Sequence, residues 1–201
     1  MENNKQSYQD KSRKERILLD ELFKFIYINE EYEIKYYHTP IEGYDIYDSI
    51  VTRFNKDTSY LKDTHIYEVK IRDTNYPDIL LEKKKYLSLM KEAIKYKNGE
   101  PVCVLYVSCH PTGTYVFNLS KLNNIKWRKE YHNISTTEKS KGKELKEVTY
   151  LPVLDAKFFP DIKTLYIERL DREKNIDVVL KDQSQLKTLF SILFGNEEKP
   201  F

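Results

Sequence analysis

The residues best equipped by type and spacing for chemistry lie in the run Thr64-His65-Ile66-Tyr67-Glu68-Val69-Lys70-Ile71-Arg72. Side chains alternate across a strand, so Glu68, Lys70 and Arg72 share one face while Tyr67, Val69 and Ile71 share the other. An exposed strand carrying Glu68 and Lys70 as a solvated ion pair alternates in the same way. Upstream, the segment from Tyr44 to Thr52 reads as a second strand, and the polar stretch from Asn55 to Asp63 can turn it back on the first. A turn centred near Thr58 sets Asp48 opposite Glu68. Two facing carboxylates repel unless a cation lies between them, and two hard oxygen ligands suit a magnesium-sized ion. Lys70, one strand step further on, would then hold a water against that ion. Asp45 is the rival to Asp48: it lies on the opposite face of a regular strand, and a one-residue slip or a bulge would exchange the two.

An Asp on one strand, Glu-x-Lys on the next and a helix bearing Glu-x-x-Lys-Tyr together resemble the PD-(D/E)XK nuclease superfamily. The matching residues are Asp45 or Asp48, then Glu68-Val69-Lys70, then Glu82-Lys83-Lys84-Lys85-Tyr86. The resemblance extends over roughly residues 13 to 159, and the Pro of the family pattern is absent before either Asp. It implies a restriction-endonuclease-like core and a metal-dependent endonuclease acting on DNA, with RNA left open. It further implies Mg²⁺ or Mn²⁺ held by Asp48, Glu68 and the backbone carbonyl of Val69, with Lys70 acting on the water. From the helix, Glu82 and Lys85 would orient the site. The family pattern points to Lys85, whereas a helical wheel favours Lys83. A Glu of the first helix often leans into such sites, and here Glu15 and Glu21 are both available. Arg72 would contact phosphates, as would Lys139, Lys141 and Lys143. The alternative is a protein that keeps this fold for nucleic-acid binding or as an interaction module, without catalysis.

These groups need a scaffold, and 201 residues suffice for one domain with a sizeable core. With 33% charged residues and a net charge of only +2, attraction to nucleic acid must come from local patches rather than from the whole molecule. Cys103 and Cys109 fall about 20 Å apart along one strand-like run, beyond disulfide reach, and read as reduced thiols of a cytoplasmic protein. The run from Ile17 to Ile28 is interrupted by Asp20, Glu21 and Lys24, so no membrane span is expected.

Residues 1–12 read as a disordered tail, and 13–160 as a nuclease-like domain. Leu18, Leu22, Phe25 and Ile26 recur at helical spacing in the first element. Tyr32 to Tyr37 reads as a strand, Pro77 opens a helix reaching about Tyr96, and Pro101 to Cys109 has the continuous apolar character of a central strand. The order helix, three strands, helix, strand, strand predicts an α/β three-layer sandwich around a central mixed sheet. Residues 126–147 carry seven Lys or Arg and four Glu, which suggests a mobile basic loop. Residues 161–201 read as a strand and helix extension, with a short strand near Thr164 to Ile167. A helix over 183–194 forms a C-terminal appendage whose apolar stripe could serve a homodimer or a protein partner.

Overall fold

The structure, a computed structural model, describes residues 2–28, 31–41, 45–97, 99–134 and 142–174. Its frame is a six-stranded sheet in the order β1 (Tyr32–His38), β2 (Ser49–Asn55), β3 (Leu61–Ile71), β5 (Val102–His110), β6 (Gly113–Asn118) and β9 (Lys157–Phe159). All neighbours in it are antiparallel except β3 and β5, which run parallel, so the sheet is mixed as the element order predicts. A parallel neighbour requires a crossover, and here it is made by β4 (Asp78–Glu82) and α2 (Lys83–Lys95).

Three layers follow from the two faces of β3 and β5. Tyr67, Val69, Val107 and Cys109 pack against Leu18, Leu19, Leu22 and Phe23 of α1 (Glu2–Ile26). Ile162 and Tyr166 of a third helix, α3 (residues 162–174), join that layer. Ile66, Val104, Tyr106 and Phe117 pack on the opposite side against Leu89 and Ala93 of α2 and against a second sheet. That sheet has the order β4, β8 (Lys143–Pro152), β7 (Arg128–Asn133) and is antiparallel throughout.

Several expectations are corrected. The first helix begins at Glu2, so the residues expected as a disordered tail are helical; elongating a helix already nucleated by packed turns costs little. The segment after Pro77 is strand before it is helix. Ile79 and Leu81 are both buried, a period of two, and Glu82 is still extended at φ −78°, ψ 133° where α2 starts. The stretch 126–147 is not a mobile loop in its described part but two paired strands, β7 and the beginning of β8. Both strands are largely exposed and dominated by charged residues in this part, so no apolar period of two marks them in the sequence. Lys139 and Lys141 lie outside the described residues, and Lys143 is the exposed first residue of β8. Thr164 to Ile167 belongs to α3 rather than to a strand, since Ile162 and Tyr166, four apart, enter the same core. The 183–194 helix lies outside the described residues.

Candidate active site

The turn is centred between Asp57 and Thr58, half a residue from its expected place, and the β2–β3 register at the site is reached through a one-residue shift. Ser49 pairs with Tyr67 and Thr52 with Thr64, so Asp48 arrives beside Glu68. That shift, between Arg53 and Phe54, separates the turn from this stretch; without it the turn-side register, Phe54 on Leu61, would carry Asp48 opposite Tyr67 and so onto the other face. Asp48 Oδ2 accepts the Val69 N–H at 2.7 Å, and its Oδ1 pairs with Arg16 at 2.8 Å. Asp45 is exposed and outside the strand.

Glu68 sits in the middle of the sheet with 2% exposure, a place where a carboxylate needs cations. Lys70 Nζ lies 2.7 Å from its Oε1 and Lys85 Nζ 2.8 Å from its Oε2. Lys85 also donates to the Ile46 carbonyl at 2.7 Å, whereas Lys83 pairs with Glu147 of β8. The wheel that favoured Lys83 assumed a helix from Pro77; starting the helix at Lys83 resets its phase. Glu82, at the β4–α2 junction, pairs with Lys146 at 2.9 Å.

Glu15 of α1 is the third carboxylate, buried and within electrostatic reach of Lys70, Asp48 and Glu68. Burial pushes its carboxyl up to about 7, with Lys70 and Lys11 opposing and Asp48 and Glu68 reinforcing the shift. For Lys70, burial works against the ammonium, but Glu68, Glu15 and Asp48 outweigh it and hold the pKa above the usual lysine value. Glu21, nearly two turns further along α1, instead pairs with Lys24 and Arg169. Arg16, whose guanidinium bonds Asp48 and both oxygens of Thr39, carries no sequence signal; only the packing of α1 across the sheet end brings it there.

The group lies at the carboxyl end of the parallel pair β3 and β5, where a cleft of about 610 Å³ opens. Its walls include Lys11, Lys70, Arg72, Tyr76, Glu82, Lys85 and Tyr106. Arg72 donates to the Tyr106 hydroxyl at 3.3 Å, but its buried Nε has no hydrogen-bond partner, and it has no acidic partner among the described residues. Oε1 of Glu15 and Oε1 of Glu68 are likewise buried without a hydrogen bond, the latter because the Lys70 ammonium is close but misaligned. A second cleft on the other side of Glu82 is bordered by Lys83, Lys146 and Glu147, which are already paired, Lys83 with Glu147 and Lys146 with Glu82.

The donor set fits a small hard cation. Asp48 and Glu68 offer carboxylate oxygens, and Oε1 of Glu68 is buried with an ion pair to Lys70 but no hydrogen bond. Among the described residues no three His, Cys, Asp or Glu side chains converge on one point, but a magnesium-sized ion commonly takes one or two carboxylates and keeps several waters.

No family model and no curated protein matches the sequence. Among solved structures, the chain is similar to Hjc, a Holliday junction resolvase from the archaeal hyperthermophile Archaeoglobus fulgidus, at 19% identity and a TM-score of 0.37. The match covers 58% of this chain and 79% of that one. A likeness this loose bears on neither activity nor substrate. No helix of the described residues is long and apolar enough to cross a membrane.

Proposed function

We propose that this chain is a divalent-metal-dependent nuclease that hydrolyses phosphodiester bonds of DNA. The supporting observation is the meeting of Asp48, Glu68 and Lys70 with a third buried carboxylate, Glu15, beside a cleft that Glu68, Lys70 and Arg72 line and whose Arg72 has no anionic partner among the described residues. Asp48, Glu68 and the Val69 carbonyl would hold Mg²⁺ or Mn²⁺. When bound, the ion would polarise a phosphate oxygen and lower the pKa of a coordinated water.

The remaining work falls to the chain itself. Lys70, kept protonated by the surrounding carboxylates, orients the attacking water and offsets charge building up on the phosphate. Lys85 fixes the rotamer of Glu68 from α2. Arg72, with Tyr106 and Lys11 beside it in the cleft, binds a phosphate of the substrate backbone. Glu82 borders the cleft and holds Lys146, and Lys143 at the start of β8 adds a distant phosphate contact. With Cys103 and Cys109 as free thiols, the reducing cytoplasm is the proposed compartment.

One observation favours a non-catalytic reading: Arg16, Lys70 and Lys85 already neutralise Asp48 and Glu68 without any metal. Supercoiled plasmid incubated with Mg²⁺, Mn²⁺ or EDTA separates the two. Nicking with either ion and none in EDTA is expected; intact plasmid in every lane, from protein that binds DNA, would establish the scaffold instead.

A further inference from the structure

β1 is the last strand of the six-stranded sheet, and among the described residues nothing pairs with its outer edge. Its inward bonds reveal the direction of its backbone groups. The Glu31 carbonyl accepts the Lys56 N–H at 3.1 Å, the Lys35 carbonyl accepts the Thr52 hydroxyl at 3.1 Å, and the Tyr37 carbonyl accepts the Ser49 hydroxyl at 3.0 Å. Odd-numbered residues therefore face β2. In an antiparallel ladder alternate residues direct N–H and C=O to opposite sides, so Tyr32, Ile34 and Tyr36 present theirs outward. Natural sheets blunt such edges with proline, a bulge or charge; β1 contains no proline, keeps a regular register along its whole length, and carries one Glu and one Lys, charges that admit a pairing strand only opposite their complements.

We propose that this edge pairs antiparallel with β1 of a second copy of the chain, about a two-fold axis at Ile34. The charges select both occupant and register. Glu33 and Lys35 are exposed, and neither forms an ion pair among the described residues; the Lys35 ammonium lies over the Phe54 ring at 5.1 Å, a weak contact that leaves its charge available. With the axis at Ile34, Glu33 faces Lys35 of the partner subunit, and symmetry makes the contact twice. Tyr32 then faces the partner subunit's Tyr36, and the outward N–H and C=O groups meet their counterparts. Moving the axis by one residue sets Glu33 against its own copy or Lys35 against its own copy, both repulsive. An axis between residues leaves outward groups opposite inward ones. The two-fold axis stands perpendicular to the sheet, so both copies present the face bearing Glu68 and Lys70 on the same side. None of this depends on the proposed chemistry.

Sedimentation velocity of the full chain over a concentration series, with amide exchange followed at low concentration, tests the inference. The expected result is a concentration-dependent dimer whose dissociation constant rises at least about tenfold in Glu33→Lys and returns to within about threefold in the double variant Glu33→Lys/Lys35→Glu. Both changes lie on exposed side chains, and unchanged thermal midpoints would show the fold intact. A chain that stays monomeric at every concentration overturns the proposal, as does a dimer indifferent to Glu33→Lys. A monomer with slowly exchanging Ile34 and Tyr36 amides also overturns it, because the chain would then cover its own edge.

Discussion

β3 carries a polar cluster at each end, and the two are built on opposite terms. At its beginning, the Tyr27 hydroxyl is hydrogen-bonded to His65 Nδ1 at 2.5 Å and to the Tyr67 hydroxyl at 2.6 Å, and Asp63 is clamped by Arg53. Burial, with Tyr67 beside it, lifts the Tyr27 phenol above its ordinary value, and burial lowers His65, so the chain of bonds runs between neutral groups. At the other end three carboxylates crowd one lysine, and oxygens of Glu15 and Glu68 lack hydrogen bonds. A satisfied network rigidifies a fold, whereas like charges held together with unbonded oxygens are tolerated where a ligand completes them. Under the proposed function, the satisfied end is structural and the crowded end is the one that would carry the chemistry.

Breaking the chemical end should produce the largest effect. Asp48→Asn and Lys70→Ala should each reduce metal-dependent plasmid cleavage by about 10²–10³-fold or more while the proteins remain folded. Calorimetric Mg²⁺ titration should then divide the pair, with affinity lost in Asp48→Asn and kept in Lys70→Ala. Equal affinity loss would make Lys70 a structural partner of Glu68.

The next effect concerns pH. Glu15 has a folded pKa of about 7 against an ordinary value of 4.5, so its contribution to stability is complete below pH 4.5 and is lost as pH rises through 7. The loss should level off at roughly 3 kcal/mol, the worth of about 2.5 pKa units. Glu15→Gln does not titrate; in EDTA it should gain on the native protein by up to that amount in urea melts between pH 4.5 and 8. Parallel stability curves for the two proteins would show that Glu15 is solvated.

At the structural end the sign reverses. Tyr27→Phe removes the link between His65 and Tyr67 and should cost about 1–2 kcal/mol in denaturant unfolding with cleavage unchanged. A fall in cleavage without a fall in stability would erase the distinction between the ends. Least of all, Lys143→Ala should lower the salt slope of DNA binding by about one unit if that residue meets a phosphate, read by titration at several ionic strengths.

The sequence by itself determined what depends on neighbours along the chain. The alternation over Thr64–Arg72 and a turn near Thr58 are local and legible, but the one-residue shift between Arg53 and Phe54 that finally sets Asp48 beside Glu68 left no mark in the sequence. The apolar run of β5 announced a strand covered on both faces. Tertiary structure alone decided the choices between equivalent side chains. Glu15 and Glu21 have the same chemistry and neighbouring places on α1, and only the crossing of α1 over the sheet end puts one within electrostatic reach of Lys70 and the other beside Arg169. Lys85 prevails over Lys83 because Ile79 and Leu81 are spent on pairing with β8, which delays the helix to Lys83. Arg16, the Tyr27–His65–Tyr67 chain and the β7–β8 hairpin were invisible for the same reason. Periodicity records which face of an element is buried, but which charges meet across elements depends on their relative placement, set by the packing of both cores against the sheet.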